Sequence, residues 1–277
     1  MLNRKTIFAI SGFGSLFNSD KFKYKFIKFF IVKIYYFIMN GRNSKTIVQN
    51  RDDRNQLIRW GIKTDKICLI KGSGVDEGKY QFNPKPFSLY KELKILVPAR
   101  LLKDKGIVEA CNASLVLDQR NISHKFIFAG DIDPVNPTSL TQEEVDKLSD
   151  ECPSVEFFGY VKNMKDLYNE CDMVCLPTYH EGLPKSLIEA FAIGRPVITC
   201  DVTGCREIVS DKNTGMLAPS KNSDAISEAI IELSTDVNLQ KNMIENAHAL
   251  FLSQLTISEV NRKTMTLYRS LETVSSR

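Results

Sequence analysis

From about residue 94 the chain alternates short apolar runs with longer amphipathic stretches. KILVPA is followed by a helix-like stretch near 105–118, KFIFAG by TQEEVDKLSDEC, VEFFG by NMKDLYNEC, MVCLP by PKSLIEAFA, and PVITC by GCREIV. Short apolar runs alternating with longer amphipathic ones predict a parallel sheet covered by helices on both faces. Thr141, with Glu144 three residues on, forms a capping box, and Gly194 followed by Pro196 closes the helix that contains Glu189. Residues 222–275 read as consecutive helices.

The first seventy residues repeat the pattern in shorter form: KTIFAI, a helix over 21–38, KTIVQ, a helix over 51–60 stopped by Gly61, and KICLI. A βαβαβ unit of this size has too few strands to stand as a doubly wound domain, so the segment reads as the end of something larger. Between the two parts, KGSGVDEGKYQFNPKPFSLYKEL is rich in Gly, Pro and Ser and has no period, which predicts a linker. The expected organisation is therefore a partial N-terminal domain over 1–75, a linker over 76–93, a complete domain over 94–255, and a helix over 256–277 returning toward the N-terminal part.

The 277 residues suffice for two domains, and 43% hydrophobic with 25% charged residues excludes a disordered or membrane-embedded chain. Charge changes the picture more. Residues 1–50 hold nine Lys/Arg against the single acid Asp20, so most of the net +4 and more sits at that end, and an anionic partner is expected there. The seven cysteines lack Cys-x-x-Cys spacing and several lie in apolar runs, as reduced packing residues of a cytoplasmic protein would. No metal cluster is expected. The N-terminus lacks a signal-peptide layout, and the apolar run from Phe29 to Met39 is too short to span a membrane.

Candidate chemistry concentrates in YHEGLPKSLIEAFA. Pro184 suits the first helical position, where the amides around Lys185, Ser186 and Leu187 are free to meet a phosphate. Glu189 lies a turn further in; its side chain leans back toward the N-terminus and can reach a ribose, while Glu181 in the loop can accept sugar hydroxyls. Arg100 and Lys105 in PARLLKDKGI follow an apolar strand, where they can neutralise a diphosphate, although cations after a strand are commonly just solvated. His180 fits a ligand contact or an exposed histidine equally. Gly12 and Gly14 in SGFGS lack the rest of a dinucleotide fingerprint and read as a tight turn, and GSGVD lacks the end of a P-loop.

In order, PARLLKDKG, FIFAGD, VEFFGYV, CDMVCLPTYHEGLPKSLIEAFAIGRPVI, TGCREIV and DKNTGMLAP resemble the donor-binding domain of retaining glycosyltransferases of family 4, which have the two-domain GT-B fold. Upstream, ISGFGSLF, IVQNRDD and LIKGSGVD resemble the last third of the acceptor domain in bacterial members that build O-antigen, capsule or lipid-linked glycans. The resemblance implies an α/β protein of GT-B type: a complete C-terminal Rossmann-like donor domain and a partial N-terminal Rossmann-like domain. It also implies transfer of a sugar, with retention, from a UDP-linked donor to a growing glycan. In that scheme Arg100 and Lys105 bind the diphosphate, Glu181 the donor sugar and Glu189 the ribose. The Gly182–Leu183 turn with Pro184, Lys185, Ser186 and Leu187 meets phosphate and sugar, and Gly159, Tyr160 and Val161 flank the base.

No metal or other cofactor is required in this scheme. Family members begin with about a hundred further residues, for which this sequence has no counterpart, so a non-catalytic nucleotide-sugar-binding remnant is the second expectation. A sugar epimerase on the same fold ranks below both. The expected partners are a nucleotide sugar and a lipid-linked glycan acceptor, with no nucleic acid, since no reading module accompanies the charge. KFKYKFIKFFIVKIYYFIM places Lys21, Lys25 and Lys28 on one helical face; residues 21–38 suit an anionic membrane surface and, equally, a domain helix with snorkelling lysines. The expected location is the cytoplasm, peripheral on the inner face of the membrane.

Overall fold

A computed structural model describes residues 4–13, 22–88 and 91–273, with side chains from residue 27 onward in the first helix and up to residue 271 in the last. It divides into two compact units, Met1–Gly74 with Ile257–Arg277, and Val75–Thr256.

In the first unit, strands β1 (Thr6–Ile10), β2 (Ser44–Val48) and β3 (Ile67–Leu69) form a parallel three-stranded sheet in that order, with helices α1 (Phe22–Met39) and α2 (Arg51–Arg59) as the connections. Asn50 caps α2: its Oδ1 accepts from the Asp53 amide at 2.7 Å. Gly61 then ends that stretch at φ +84°, a conformation that suits glycine. Met39, Val48, Leu57, Ile62 and Ile67 make one small core, and Ile70 packs with Val260 and Leu267 of the C-terminal helix Ile257–Thr273 in another. Of the lysines expected to share a face of α1, Lys21 and the side chain of Lys25 lie outside the described residues, as does Gly14.

The second unit is a six-stranded, wholly parallel sheet. In chain order its elements are β4 (Leu93–Val97), α3 (Ile107–Gln119), β5 (His124–Ala129), α4 (Gln142–Glu151), β6 (Val155–Gly159), α5 (Met164–Glu170), β7 (Met173–Leu176), α6 (Lys185–Ile193), β8 (Val197–Cys200), the short α7 (Thr203–Arg206), β9 (Met216–Ala218), α8 (Ser223–Thr235) and α9 (Val237–Leu250). Spatially the strands run β6-β5-β4-β7-β8-β9. Side chains alternate across the sheet. Leu93, Ile95, Val97, Phe126 and Phe128 join one core, whereas Leu96, Ile127 and Ala129 join the other, so both faces are dry, as continuously apolar strands require. The Thr141–Glu144 capping box is formed in both directions, at 3.2 and 2.9 Å, and Gly194 ends α6 at φ +84°. The Val75 amide donates to Leu255 O at 2.9 Å and ties the two ends of the unit together.

The segment 76–93, expected to link, is stapled to this second unit. Tyr80 and Phe87 are buried, and the Asn83 amide donates to Ile193 O at 2.8 Å. Arg195, 1% exposed, donates to the carbonyls of Asn83 at 2.6 Å and Tyr168 at 2.8 Å. A buried guanidinium needs several acceptors, and the irregular backbone of this segment supplies one of them. Six of the seven cysteines are buried, and Cys68 is half-buried.

Candidate functional site

The chain lays down β4, β5 and β6 in one direction and then returns to the other side of β4 for β7, β8 and β9. A parallel sheet built this way has a crevice beyond the carboxyl ends of the strands where the order reverses, here between β4 and β7. A cavity of about 470 Å³ occupies that side. Its wall carries Arg100 from the β4 loop, Asp131 and Asp133 from the β5 loop, Tyr160 and Val161 after β6, and Ser186 and Glu189 on α6.

Close backbone approach shapes the crevice. The Leu101 amide donates to Asp131 O at 2.9 Å, and a Cβ on Gly130 would stand 2.1 Å from Ala99 O, so only glycine lets the β4 and β5 loops touch. At Gly106, with φ +71° and in the cap position of α3, an added Cβ would likewise stand 2.1 Å from Pro177 O. A Cβ on Gly204 would meet Glu181 O at 2.5 Å; this glycine of the TGCREIV motif therefore supports the loop that carries Glu181.

The start of α6 differs from expectation by one position. Pro184 is the cap, extended at ψ 106°, and Lys185 is the first helical residue. The carbonyl of Pro184 accepts the Leu187 amide at 3.2 Å and the Leu187 side chain is fully buried, so Leu187 offers nothing to a ligand. Among the described residues, the Lys185 and Ser186 amides have no protein acceptor. Glu189 is 13% exposed and lines the cavity; Tyr168 donates to its Oε2 at 3.2 Å, and Lys185 Nζ lies 3.9 Å from its Oε1. Burial, and then the Glu189 charge, push the Tyr80 and Tyr168 hydroxyls upward, so both stay protonated donors.

Lys105 and Glu181 form a pair of their own at 2.6 Å, each less than a fifth exposed. Arg100 pairs with Asp133 at 2.5 Å and is far more open. The structure thus gathers Arg100, Tyr160, Val161, Ser186 and Glu189 around one cavity and joins Lys105 to Glu181. Lys105, Gly159, Glu181, Gly182, Leu183, Pro184, Lys185 and Leu187 do not line it; Gly159, at φ +66°, forms a backbone bridge with Gly130, which does. His180 is exposed, and its carbonyl accepts from Thr178 Oγ1 at 3.1 Å. Asp133, Tyr168 and Tyr80 were not expected; in the sequence they are ordinary residues whose partners lie far along the chain. Among the described residues no group of three His, Cys, Asp or Glu side chains is arranged to hold a metal.

Residues 81–250 match the family described as glycosyl transferases group 1. The chain belongs to this family. Among curated relatives of this group 1 chain, a Campylobacter jejuni N,N'-diacetylbacillosaminyl-diphospho-undecaprenol alpha-1,3-N-acetylgalactosaminyltransferase is 30% identical over 86% of the chain, which spans 63% of that protein. The capsular polysaccharide biosynthesis glycosyltransferase CapM of Staphylococcus aureus is 28% identical over 66% of the chain, spanning half of that protein. The chain therefore spans between half and two thirds of the length of these relatives. In fold, it matches Anabaena HepE, solved with UDP and glucose, with a TM-score of 0.76, 18% identity, and coverage of 95% of this chain and 71% of that one. The α/β, GT-B class expected for this group 1 chain is thus its fold.

Proposed function

We propose that this protein carries the donor-binding machinery of a retaining glycosyltransferase that moves a sugar from a UDP-linked donor to a lipid-linked or cell-surface glycan. The observation that carries the reading is the juxtaposition, in one cavity at the strand-order reversal, of Arg100 on one side and Glu189 with the Ser186 turn on the other. A nucleoside diphosphate fits that chemistry. The carboxylate of Glu189 accepts the ribose hydroxyls, the Lys185 and Ser186 amides and the positive end of α6 meet phosphate oxygens, and the Tyr160–Val161 backbone borders the base. Kinship with the C. jejuni transferase supports this reading over a non-catalytic binding remnant.

Transfer breaks the bond from the anomeric carbon to the β-phosphate oxygen and forms one to the acceptor hydroxyl oxygen on the same face, the hydroxyl proton passing to the departing diphosphate. Negative charge grows on the departing diphosphate, and protein cations aimed at it lower the barrier. Arg100 and Lys105 take that role, Glu181 orients the donor sugar, and the charge is met by protein groups without a required metal.

The first unit fits a peripheral place on the cytoplasmic face of a membrane. Among the described residues no helix is long and apolar enough to cross one. Yet α1 exposes Ile27, Phe29, Phe30, Ile34 and Phe37, with Lys33 lying 4.8 Å over the Phe29 ring. Aromatic side chains interleaved with lysines suit the boundary of an anionic leaflet, where a lipid-linked acceptor resides.

Calorimetry with UDP tests the donor reading. Wild type is expected to bind, and Glu189→Ala to lose about tenfold or more in affinity, the worth of one charge-assisted hydrogen-bond pair. Absence of UDP binding in wild type, or equal affinity of the variant, refutes it. Co-sedimentation with anionic vesicles tests the membrane reading, which fails if Phe30→Asp combined with Phe37→Asp leaves the bound fraction unchanged.

A further inference from the structure

Glu189 is backed by a phenol that the scheme above does not use. Tyr168 is 0% exposed, and its hydroxyl stands 2.9 Å from Ser186 O and 3.2 Å from Glu189 Oε2. A phenol has a single hydrogen to donate, so it is shared between a main-chain carbonyl and a carboxylate three residues apart on the same helix. The ring cannot swing away. Tyr80 packs edge-on against it at 6.2 Å, and Arg195 Nε holds the Tyr168 carbonyl at 2.8 Å. Core packing alone would be met by phenylalanine, which carries no hydroxyl to desolvate.

The two acceptors are the groups whose spacing matters to the proposed ligand. Ser186 belongs to the turn that meets phosphate, and Glu189 is the carboxylate that reads the ribose. The cation beside Glu189, Lys185, is 64% exposed at 3.9 Å, too open and too long to fix a carboxylate. We propose that Tyr168 is a positioning residue: its hydroxyl clamps the Glu189 carboxylate to the first turn of α6 and so sets the ribose contact at a fixed offset from the phosphate contact. The inference rests on the assignment of Glu189 to the ribose under the proposed function.

The test compares two probes on the full chain, UDP and 2′,3′-dideoxyuridine diphosphate, which has the same base and phosphates but no ribose hydroxyls for Glu189. Wild type is expected to prefer UDP. Tyr168→Phe is expected to lose about tenfold in affinity for UDP while changing less than about twofold for the dideoxy nucleotide, because one lost hydrogen bond to a charged group is felt only through the ribose. The dideoxy affinity doubles as a folding control, since a general loosening of the core weakens both probes alike. Parallel weakening of both nucleotides, or an unchanged preference for UDP in Tyr168→Phe, overturns the positioning role while leaving Glu189 as the ribose contact. Equal affinity of wild type for the two nucleotides overturns the ribose assignment itself, and the clamp with it.

Discussion

Replacing Gly130 by alanine is the smallest change that tests whether the β4 and β5 loops must touch to make the cavity. An added Cβ would stand 2.1 Å from Ala99 O, 2.6 Å from Ala99 C and 3.0 Å from Arg100 N. All three are backbone atoms, so no side chain can swing aside. Restoring contact from 2.1 Å to at least 3.0 Å opens the loops by about 0.9 Å at the residue before Arg100. Overpacking of this kind costs about 1–3 kcal/mol, and a rigid backbone neighbour places Gly130→Ala near the upper end. For a unit of this size each kcal/mol lowers the melting midpoint by about 2–4 °C, so a fall of about 6–12 °C is expected. A displacement approaching 1 Å at a binding wall is also enough to weaken ligand contacts severely, by about tenfold or more here. Thermal unfolding by circular dichroism and UDP titration measure the two effects. A midpoint within about 1 °C of wild type together with unchanged UDP affinity would refute the close-approach argument.

Glu181→Gln is expected to cut turnover by about tenfold or more without weakening UDP binding, since the proposed contact is with the donor sugar, which UDP lacks; steady-state kinetics with a separate UDP titration checks this, and a loss confined to UDP binding counts against it. Glu259 is held down to about 2, chiefly by Arg262, which donates to it through Nε and Nη2 at 2.7 Å. A carboxylate depressed on folding contributes stability above its ordinary value of 4.5 that is lost as pH falls toward 2, so Glu259→Gln is expected to flatten the fall of stability in that window. Denaturant melts across pH 2–5 decide it, and an unchanged acid slope is the contrary result.

The parallel sheet of the second unit was readable because each of β4 to β8 holds a short apolar run followed by an amphipathic or helical stretch, two of them with a start or stop signal; Thr141, Glu144 and Gly194 act within a few residues of themselves. β9 is a three-residue strand, Met216–Ala218, too short to show any period, and it is defined only by its neighbour β8. The segment 76–93 looked like a linker since its Gly, Pro and Ser content is that of a linker; what fixes it in place is Arg195, more than a hundred residues later. The candidate site divides the same way. Arg100, Glu181 and Glu189 announce themselves by position relative to a strand end or a helix start. Asp133 and Tyr168 meet Arg100 and Glu189 only through tertiary packing, 33 and 21 residues away, and no local spacing encodes that.

Those tertiary partners alter how the proposed site has to work. Arg100 is paired with Asp133, and Lys105 with Glu181. A lysine and a carboxylate this close and this little exposed attract each other strongly, and separating them leaves charges that water only partly solvates. A diphosphate engaging Lys105 must therefore take the place of Glu181. That displacement is productive, because the carboxylate it frees is the one assigned to the hydroxyls of the donor sugar. Diphosphate first and sugar second is then the order imposed by one ion pair: a free hexose meets Glu181 still committed to Lys105, whereas a hexose offered together with UDP meets it released. Titration of glucose or N-acetylgalactosamine in the presence and absence of saturating UDP measures this directly. Binding at least about tenfold tighter with UDP present is the expected coupling, within the range of 1–3 kcal/mol between linked sites. Equal hexose affinity in both conditions would mean that Glu181 is available without the exchange, and the Lys105 pair would then be a structural contact alone.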